Sequence, residues 1–597
     1  MIRDDFPFFQ AQSDIVYLDN AATTHKPQCV IDCVMDSLVK DNTNVHRSSY
    51  GLASRVTSKY EQARETVAQF VDASDPQAIV WTKGATDSLN LLAQSIQQAP
   101  SILQGTEILL LASEHHANLL PWQRLAEKLG LRITYHDIGE TGDIDFSALL
   151  ENITEETALV AFAHVSNALG CVLPVAELCA KARHYNALSV VDGTQALVHF
   201  PVSVTALDCD MYVASGHKMF APMGIGFAYI RSEILAKLPP VQLGGEMVKH
   251  VTLSESTWQT GALKFEAGTP NVPGVLALAS AVNYISEQRT AIQQQESQLY
   301  QYTVAEFTKR PQINVFNHHL TPDQHVPVFS FTVKDVDAYD ILRVLDEANI
   351  ALRVGHHCAM PLTQALGIPS SCRISLCAYN TLTEVEYFFT HLDRALALLS
   401  DELAESGKVV QSNSSTPAIV KVEKEHVVLP LASQFTSGLT YEQVLRLLML
   451  ASKQCPLLEQ DAHTTQHHVA GCEVDVWLAR DPQTAQWQGY ANSKIIRGLL
   501  AILLEKVNYD LMQNGGIGSL NKPSIIQQQL TESGCSKQNS APYEHSSSQE
   551  YFNLQAQSTQ KQPSTNLTTY LKKLGILRQL SQSRVDGLQH VIARLSA

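Results

Sequence analysis

Hydrophobic and polar positions alternate in blocks along the first two thirds of the chain. Short apolar runs stand at Ala78–Thr82 (AIVWT), Glu107–Ser113 (EILLLAS) and Ala187–Asp192 (ALSVVD), each followed by a polar turn and an amphipathic helical stretch. Repeated from about residue 15 to 400, this pattern predicts an α/β fold. Polar residues collect at the carboxyl ends of the strands, where open α/β sheets bind ligands.

The pattern changes after residue 402. Glu405–Lys424 is rich in Ser, Lys and Glu with little periodicity and is expected to be a linker. Helical spacing resumes at Thr440–Ser452 with Leu445, Leu448 and Met449. Asn508 to Thr565 is rich in Gln, Ser and Asn and predicts a long disordered insertion. Helical character returns in LTTYLKKLGILRQL and GLQHVIARLSA, and no internal repeat is found. The expected organisation is a domain at 1–402, with a large part at about 16–284 and a small part from its termini. A linker at 403–436 and a second domain at 437–597 follow, the latter interrupted at about 508–565.

Composition narrows the class. A chain of 597 residues is too long for one core. With 45% apolar and 17% charged residues it reads as soluble and globular. A net charge of -16 argues against a nucleic-acid surface. The early acids of MIRDDFPFFQ do not fit a secretory signal, and no apolar run reaches the roughly 18–20 residues that span a bilayer. A cytoplasmic enzyme without membrane contact is expected. The 11 cysteines contain no Cys-x-x-Cys pair, and only Cys29 and Cys33 lie close, on a probable helix. Neither a disulfide framework nor a metal site is expected, and most of these thiols should be buried.

Several strand ends carry candidate chemistry. SGHK at Ser215–Lys218 follows the apolar MYVA, and a lysine there can hold pyridoxal phosphate covalently; a surface-loop lysine is the plain alternative. Asp192 could pair with a pyridinium nitrogen or simply cap a helix. GATDS at Gly84–Ser88 opens a helix after a strand and offers Thr86 and backbone donors to an anion. In EHHAN, Glu114–Asn118, an imidazole could stack on a ring and shuttle protons, or both could be surface histidines. SNALG, Ser166–Gly170, could place Asn167 over a cofactor or be an ordinary turn.

The ordered series VHRS, GATDS, EHHANLLPW, VSN, VDGTQA, SGHK, EAGTPN, RVGHHCAMP and CRISLCAYN resembles group II cysteine desulfurases, the Suf/Csd type of fold-type I, class-V aminotransferase-like pyridoxal-phosphate enzymes. It covers roughly residues 5 to 400, and VHRSSYGLASRVTSKYEQAR is closer to the Csd branch. The resemblance implies Lys218 as the cofactor-bearing lysine, Asp192 as the ring-nitrogen partner, Gln195 on the ring hydroxyl and His115 stacked on the ring. It implies Thr86, Ser215 and His217 as phosphate ligands, with Thr269 reaching the phosphate from the other subunit of a homodimer. Asn167 and Arg373 are implied for the substrate carboxylate, a planar bidentate contact suiting arginine.

Cys358 lies in RVGHHCAMP beside Arg353, His356 and His357. Positive neighbours favour a thiolate, and the resemblance makes Cys358 the nucleophile that takes sulfur from L-cysteine and releases alanine. Cys472 lies in AGCEVDVWLAR, at the entrance of an alternating VDVWL strand. HHVAGCEVDVWL, IIRGLLAILL and LGILRQLSQSRVDGLQHVI resemble the SufE/CsdE sulfur acceptors, an α+β family, which implies Cys472 as the acceptor. Gly489–Lys494 (GYANSK) departs from that family's acidic segment. A linker of some 30 residues reaches roughly 30 Å and holds an acceptor at about millimolar effective concentration. The implied sequel is delivery to a downstream sulfur-accepting or iron–sulfur scaffold protein. Selenocysteine lyase and a non-catalytic sulfur-carrier scaffold are the alternatives.

Overall fold

The computed structural model describes residues 2–47, 50–317, 321, 324–399, 429–435, 439–471, 474–513, 564–574, 576 and 582–596. The chain divides into two compact units, Met1–Ala397 and Leu398–Ala597.

The centre of the first unit is a seven-stranded sheet. Its strands are β1 (Ile79–Thr82), β2 (Glu107–Leu111), β3 (Arg132–His136), β4 (Thr157–Ala163), β5 (Leu188–Asp192), β6 (Met211–Ser215) and β7 (Gly226–Ile230). The spatial order is β1-β7-β6-β5-β4-β2-β3, with β7 antiparallel to both neighbours and the other pairs parallel. Continuous apolar runs suit strands covered on both faces. Leu109, Leu111, Val160 and Phe162 enter one core, while Ile108, Leu110, Leu159 and Ala161 enter the other. This is the two-residue alternation of a pleated strand serving two helical layers.

Three helices frame the functional half: α1 (Gly51–Phe70), α2 (Ala85–Gln98) and α3 (Val272–Thr308). The last starts with an Asn271 cap on the Gly274 N–H. Its 37 residues extend about 55 Å at 1.5 Å per residue. Val275, Leu278 and Ile285 pack in the large-sheet core. Tyr300 and Phe307 stack further along on Phe329. The helix therefore passes straight through position 284, where the large part was expected to end. A second, antiparallel sheet consists of β8 (Ile313–Val315), β9 (Val328–Val333), β10 (Arg353–Gly355) and β11 (Ser371–Ser375), in the order β8-β9-β11-β10. The amino-terminal segment joins it, since Asp19 bridges to Ser375.

In the second unit, α4 (Tyr441–Ser452) begins with a complete capping box between Thr440 and Gln443. Its Leu445, Leu448 and Met449 are buried, as their spacing predicts. Strands β12 (Val476–Arg480) and β13 (Trp487–Ala491) pair antiparallel. They are followed by α5 (Lys494–Gln513), then α6 (Ser564–Lys573) and α7 (Gln582–Ser596).

Two expected boundaries shift. Leu429, Leu431, Ala432 and Phe435 are buried, so ordered structure starts before residue 437. Four apolar residues in seven are enough to anchor this short stretch, although they are too few for a visible period. At the other end α5 continues past 508, because the Asn508 side chain accepts from the Trp487 N–H at 2.7 Å and donates to its C=O at 3.0 Å. A buried amide satisfying both groups of a neighbouring strand keeps a polar-looking segment helical. Helix α6 likewise covers 564–565. The expected linker at 405–424 and the body of the insertion, 514–563, lie outside the described residues. Among the described residues no helix is long and apolar enough to cross a membrane.

Candidate active site

The carboxyl ends of β2, β4, β5 and β6 surround a cavity of about 210 Å³, which β10, β11 and the turn after β10 also line. Thr86, His115, Asn167, Asp192, Gln195, Ser215, His217, Lys218, Cys358 and Arg373 all line it. Thr269 does not; it is exposed on this chain. A wider groove of about 1160 Å³ contains Cys29 and Cys33 but none of the expected site residues. Volume alone therefore does not identify the site.

Lys218 ends a short helical turn after β6. Burial, aided by the charge of Arg373, lowers its pKa to about 8, against an opposing pull from Asp192. Asp192 accepts the Thr194 N–H at 3.0 Å, while burial raises its pKa. His115 sits just beyond β2, and its Nδ1 accepts the Ala117 N–H at 3.0 Å. That acceptance puts the ring proton on Nε2. Burial and the nearby Lys218 lower the His115 pKa to about 4, so the ring is neutral.

An anion cradle lies at the start of α2. Ser215 Oγ accepts the Ala85 N–H at 2.8 Å, which leaves its own proton to donate. Gly84 before it has φ +149°, and a Cβ there would lie 3.1 Å from Ser215 Oγ. His217 Nδ1 is buried without a hydrogen-bond partner. Such an orphaned group calls for a polar occupant. A lysine with a lowered pKa, a buried carboxylate, a neutral imidazole and an anion cradle in one cavity fit pyridoxal phosphate. Gln195 donates to the Ala21 carbonyl at 2.8 Å, keeping its other amide positions for a ligand.

Arg373 is not a surface arginine: it is 2% exposed. Its Nη1 donates to the Asn167 carbonyl at 2.9 Å and its Nη2 to Asp19 Oδ1 at 3.0 Å, while Nε has no partner. Burial lowers its pKa, against the pull of Asp19. Asp19 was missed by sequence reasoning. Its strand, Val16–Tyr17, is two residues long, but an acid between an apolar stretch and Ala21–Ala22 is the same signal that flagged Asp192.

Cys358 lies in a strained turn where His357 and Cys358 have φ values of 51° and 58°. Asn167 Nδ2 donates to the His357 carbonyl at 2.8 Å. The expected charge on His357 is absent. The ring is buried against Ser371 Oγ at 3.0 Å, and desolvation holds its pKa well below the ordinary value. Arg353, Arg373 and Lys218 are the cations that share the cavity with the thiol.

In the second unit, Cys472 lies outside the described residues. Its predecessor Gly471 has φ +91°, and a Cβ there would meet the His590 ring at 3.0 Å. The strand expected at VDVWL starts at Val476. The Val469 N–H donates to the Val476 carbonyl at 2.8 Å.

This fold and cavity define a class-V aminotransferase, and the family model described as Aminotransferase class-V matches residues 16–388. The model described as Fe-S metabolism associated domain matches 430–514. A probable cysteine desulfurase of Vibrio cholerae is 41% identical over 403 residues, spanning 67% of this chain and 98% of the relative. A cysteine desulfurase of Yersinia pestis is 38% identical over the same shares. The solved cysteine desulfurase CsdA from Escherichia coli, in its S-sulfonic acid form, superposes with TM-score 0.61 at 37% identity, covering 67% of this chain and 98% of its own. The apo cysteine desulfurase from Thermococcus onnurineus gives 0.62 at 35%, covering 66% and 97%. The chain belongs to the cysteine desulfurases of the class-V aminotransferase family.

Proposed function

We propose that Lys218, His115 and Cys358 are the reacting groups of this cysteine desulfurase, and that Cys472 of the SufE domain receives the sulfur for iron–sulfur metabolism. The observation that carries this reading is the meeting of Lys218, Asp192, Cys358 and Arg373 in one cavity.

Pyridoxal phosphate, when bound, supplies an electron sink for the carbon bearing the substrate's amine. Lys218 provides the tethering amine and, once released, a base whose lowered pKa suits proton transfer near neutral pH. With the cofactor bound, Asp192 would balance a positive ring nitrogen, Gln195 would meet the ring hydroxyl, and Thr86, Ser215 and His217 would hold the phosphate. Arg373 and Asn167, which both line the cavity, orient the substrate carboxylate. His115 gives and regains the proton on Nε2. The Cys358 sulfur attacks the substrate sulfur; the new S–S bond forms as the carbon–sulfur bond breaks. The electron pair stays on carbon, which takes a proton and leaves as alanine. The Cys472 thiolate then attacks the outer sulfur of the Cys358 persulfide and regenerates the Cys358 thiolate.

The active form is a homodimer in which Thr269 serves the other subunit's phosphate site. Its exposure, and the exposed Met223, Leu243 and Leu253, support that reading. The enzyme works in the cytoplasm, consistent with free thiols among the described cysteines. The division into compact units at Ala397/Leu398 and the resumption of described structure at 429 support domain limits with the desulfurase before about residue 398 and the acceptor from about 429.

Mass spectrometry after brief exposure to cysteine tests the relay. Cys472→Ser should carry one persulfide on Cys358 and slow in later turnovers without added reductant. Cys358→Ser should lose sulfur from both positions. Persulfide on Cys472 at the normal rate in Cys358→Ser would show that the order is wrong.

A further inference from the structure

EHHAN carries two histidines, and the reaction uses only the first. His115 and His116 are neighbours in the chain, yet their rings serve different places. His115 lines the cavity, whereas His116 contacts the turn that carries Cys358.

The contact is double. The His116 N–H donates to the Cys358 carbonyl at 2.8 Å. Its Nε2 accepts the Met360 N–H at 3.2 Å. The first bond needs only the backbone of residue 116; the second needs an acceptor on its side chain. Together they hold the turn at the sulfur-bearing residue and two residues beyond it. The turn needs holding, because His357 and Cys358 both adopt left-handed backbone angles that non-glycine residues rarely occupy. Further restraints are the Asn167 Nδ2 bond to the His357 carbonyl, the Ser371 Oγ contact with the His357 ring, and the Ala359 N–H bond to the His356 carbonyl at 2.8 Å.

The mount of His116 is stiff. Glu114 Oε1 accepts the Ala163 N–H at 2.9 Å and Oε2 accepts Asn118 Nδ2 at 2.6 Å. Asn118 Oδ1 in turn accepts Trp122 Nε1 at 2.9 Å. Glu114, Asn118 and Trp122 are all buried. Ala163 is the register partner of Asp192, so this bracket is pinned to the strand end beneath the cofactor site. The Asn118 N–H closes the turn on the His115 carbonyl at 2.8 Å.

We propose that His116 is a positioning residue for Cys358: through Nε2 it fixes the sulfur-accepting turn at a set distance from His115 and Asp192. This rests on Cys358 being the thiol that takes the sulfur. One dipeptide then spaces the proton-handling ring and the thiol, and a shift of the bracket moves both together.

Three variants of the full-length holoenzyme test the acceptor atom. His116→Leu removes the acceptor, His116→Gln keeps an oxygen that can accept the Met360 N–H, and His116→Ala replaces Leu if that side chain is not tolerated. Hydrogen exchange of the peptide around residues 355–362 reads the turn without any catalysis. Exchange there should rise about threefold to tenfold in His116→Leu, the loss expected for one modest hydrogen bond, and stay near wild type in His116→Gln. Alanine release should show a similar drop in kcat for the Leu variant, with unchanged cofactor absorbance and unchanged KM for cysteine. Unaltered exchange in the Leu and Ala variants would overturn the proposal. So would a Gln variant as impaired as the Leu variant, or a changed cofactor spectrum. Cys358→Ser, assayed in parallel, isolates the assumption: alanine release surviving in that variant breaks the reading of Cys358, while the exchange data still decide whether His116 holds the turn.

Discussion

Arg64 and Arg373 are both almost fully buried in the first unit, and their surroundings differ in one respect. Arg64, on α1, makes paired bonds to Glu266 at 2.7 and 2.9 Å, a third to the Ile79 carbonyl at 2.6 Å and a fourth to Glu61 at 3.1 Å. Burial alone would depress its pKa, but the Glu266 carboxylate more than offsets this and the net shift is upward. Arg373, on β11, shares Asp19 with Arg353, spends another donor on a backbone carbonyl and leaves Nε unpaired. Its pKa shifts down, burial being the largest cause. A buried guanidinium whose three nitrogens are all bonded belongs to the scaffold; one that lines a cavity with a nitrogen left unbonded is arranged for an anionic ligand. No local pattern separates the two residues; the family resemblance singles out Arg373, and the partners supply the physical difference.

The sharpest way to break this contrast is to remove each cation in turn. Arg373→Met should cut kcat/KM for cysteine by roughly 30-fold to several thousand-fold, the loss expected when about 2–5 kcal/mol of buried charge pairing disappears. Its thermal midpoint should hold or rise, since the methionine removes an imperfectly paired charge. A fall in stability with turnover intact would reverse the assignment. Arg64→Met should do the opposite. It leaves Glu266 buried without its cation, at about 3–5 kcal/mol of unfolding free energy, while turnover per folded molecule is retained. Replacing Glu266 with Leu in the same protein should recover most of that loss in chemical denaturation. No recovery would mean that the pair is not what Arg64 contributes.

The site was legible where chemistry coincides with strand ends, and illegible where it depends on contacts distant in sequence. Lys218, Asp192 and His115 follow strands whose unbroken apolar runs are visible in the chain, so their positions in the cavity follow from the α/β pattern. The core alternation of β2 and β4 was equally visible. Asp19 was not, because two residues of strand carry no period. The charge expected on His357 failed because sequence shows that a histidine is near a thiol but not that its ring is buried. Asn508 failed for a similar reason: its composition suggests a loop, but its partner, Trp487, lies 21 residues away. The role proposed for Thr269 came from the family resemblance alone; no local pattern indicates it, and the single chain leaves the residue exposed.

A smaller effect sharpens the comparison further, because it reads the charge of Arg373 rather than its hydrogen bonds. Lys218 has a pKa of about 8, lowered first by burial and then by Arg373. The sign follows from a lysine pKa moved below its ordinary value: the free amine gains population as pH rises through about 8 and is nearly complete above it. Capture of pyridoxal phosphate by the cofactor-free protein, followed by absorbance, should therefore accelerate with a midpoint near 8. Arg373→Met removes a positive neighbour, so the ammonium form is less disfavoured and the midpoint moves up. Asp192→Asn removes a negative neighbour that favours the ammonium form, so the midpoint moves down. Arg64 is not among the leading charges that shift Lys218, and Arg64→Met should leave the midpoint nearly where it is. A midpoint that ignores Arg373 but follows Arg64 would mean that Arg373 has no electrostatic hold on Lys218, and the distinction between the two arginines would rest on hydrogen bonds alone.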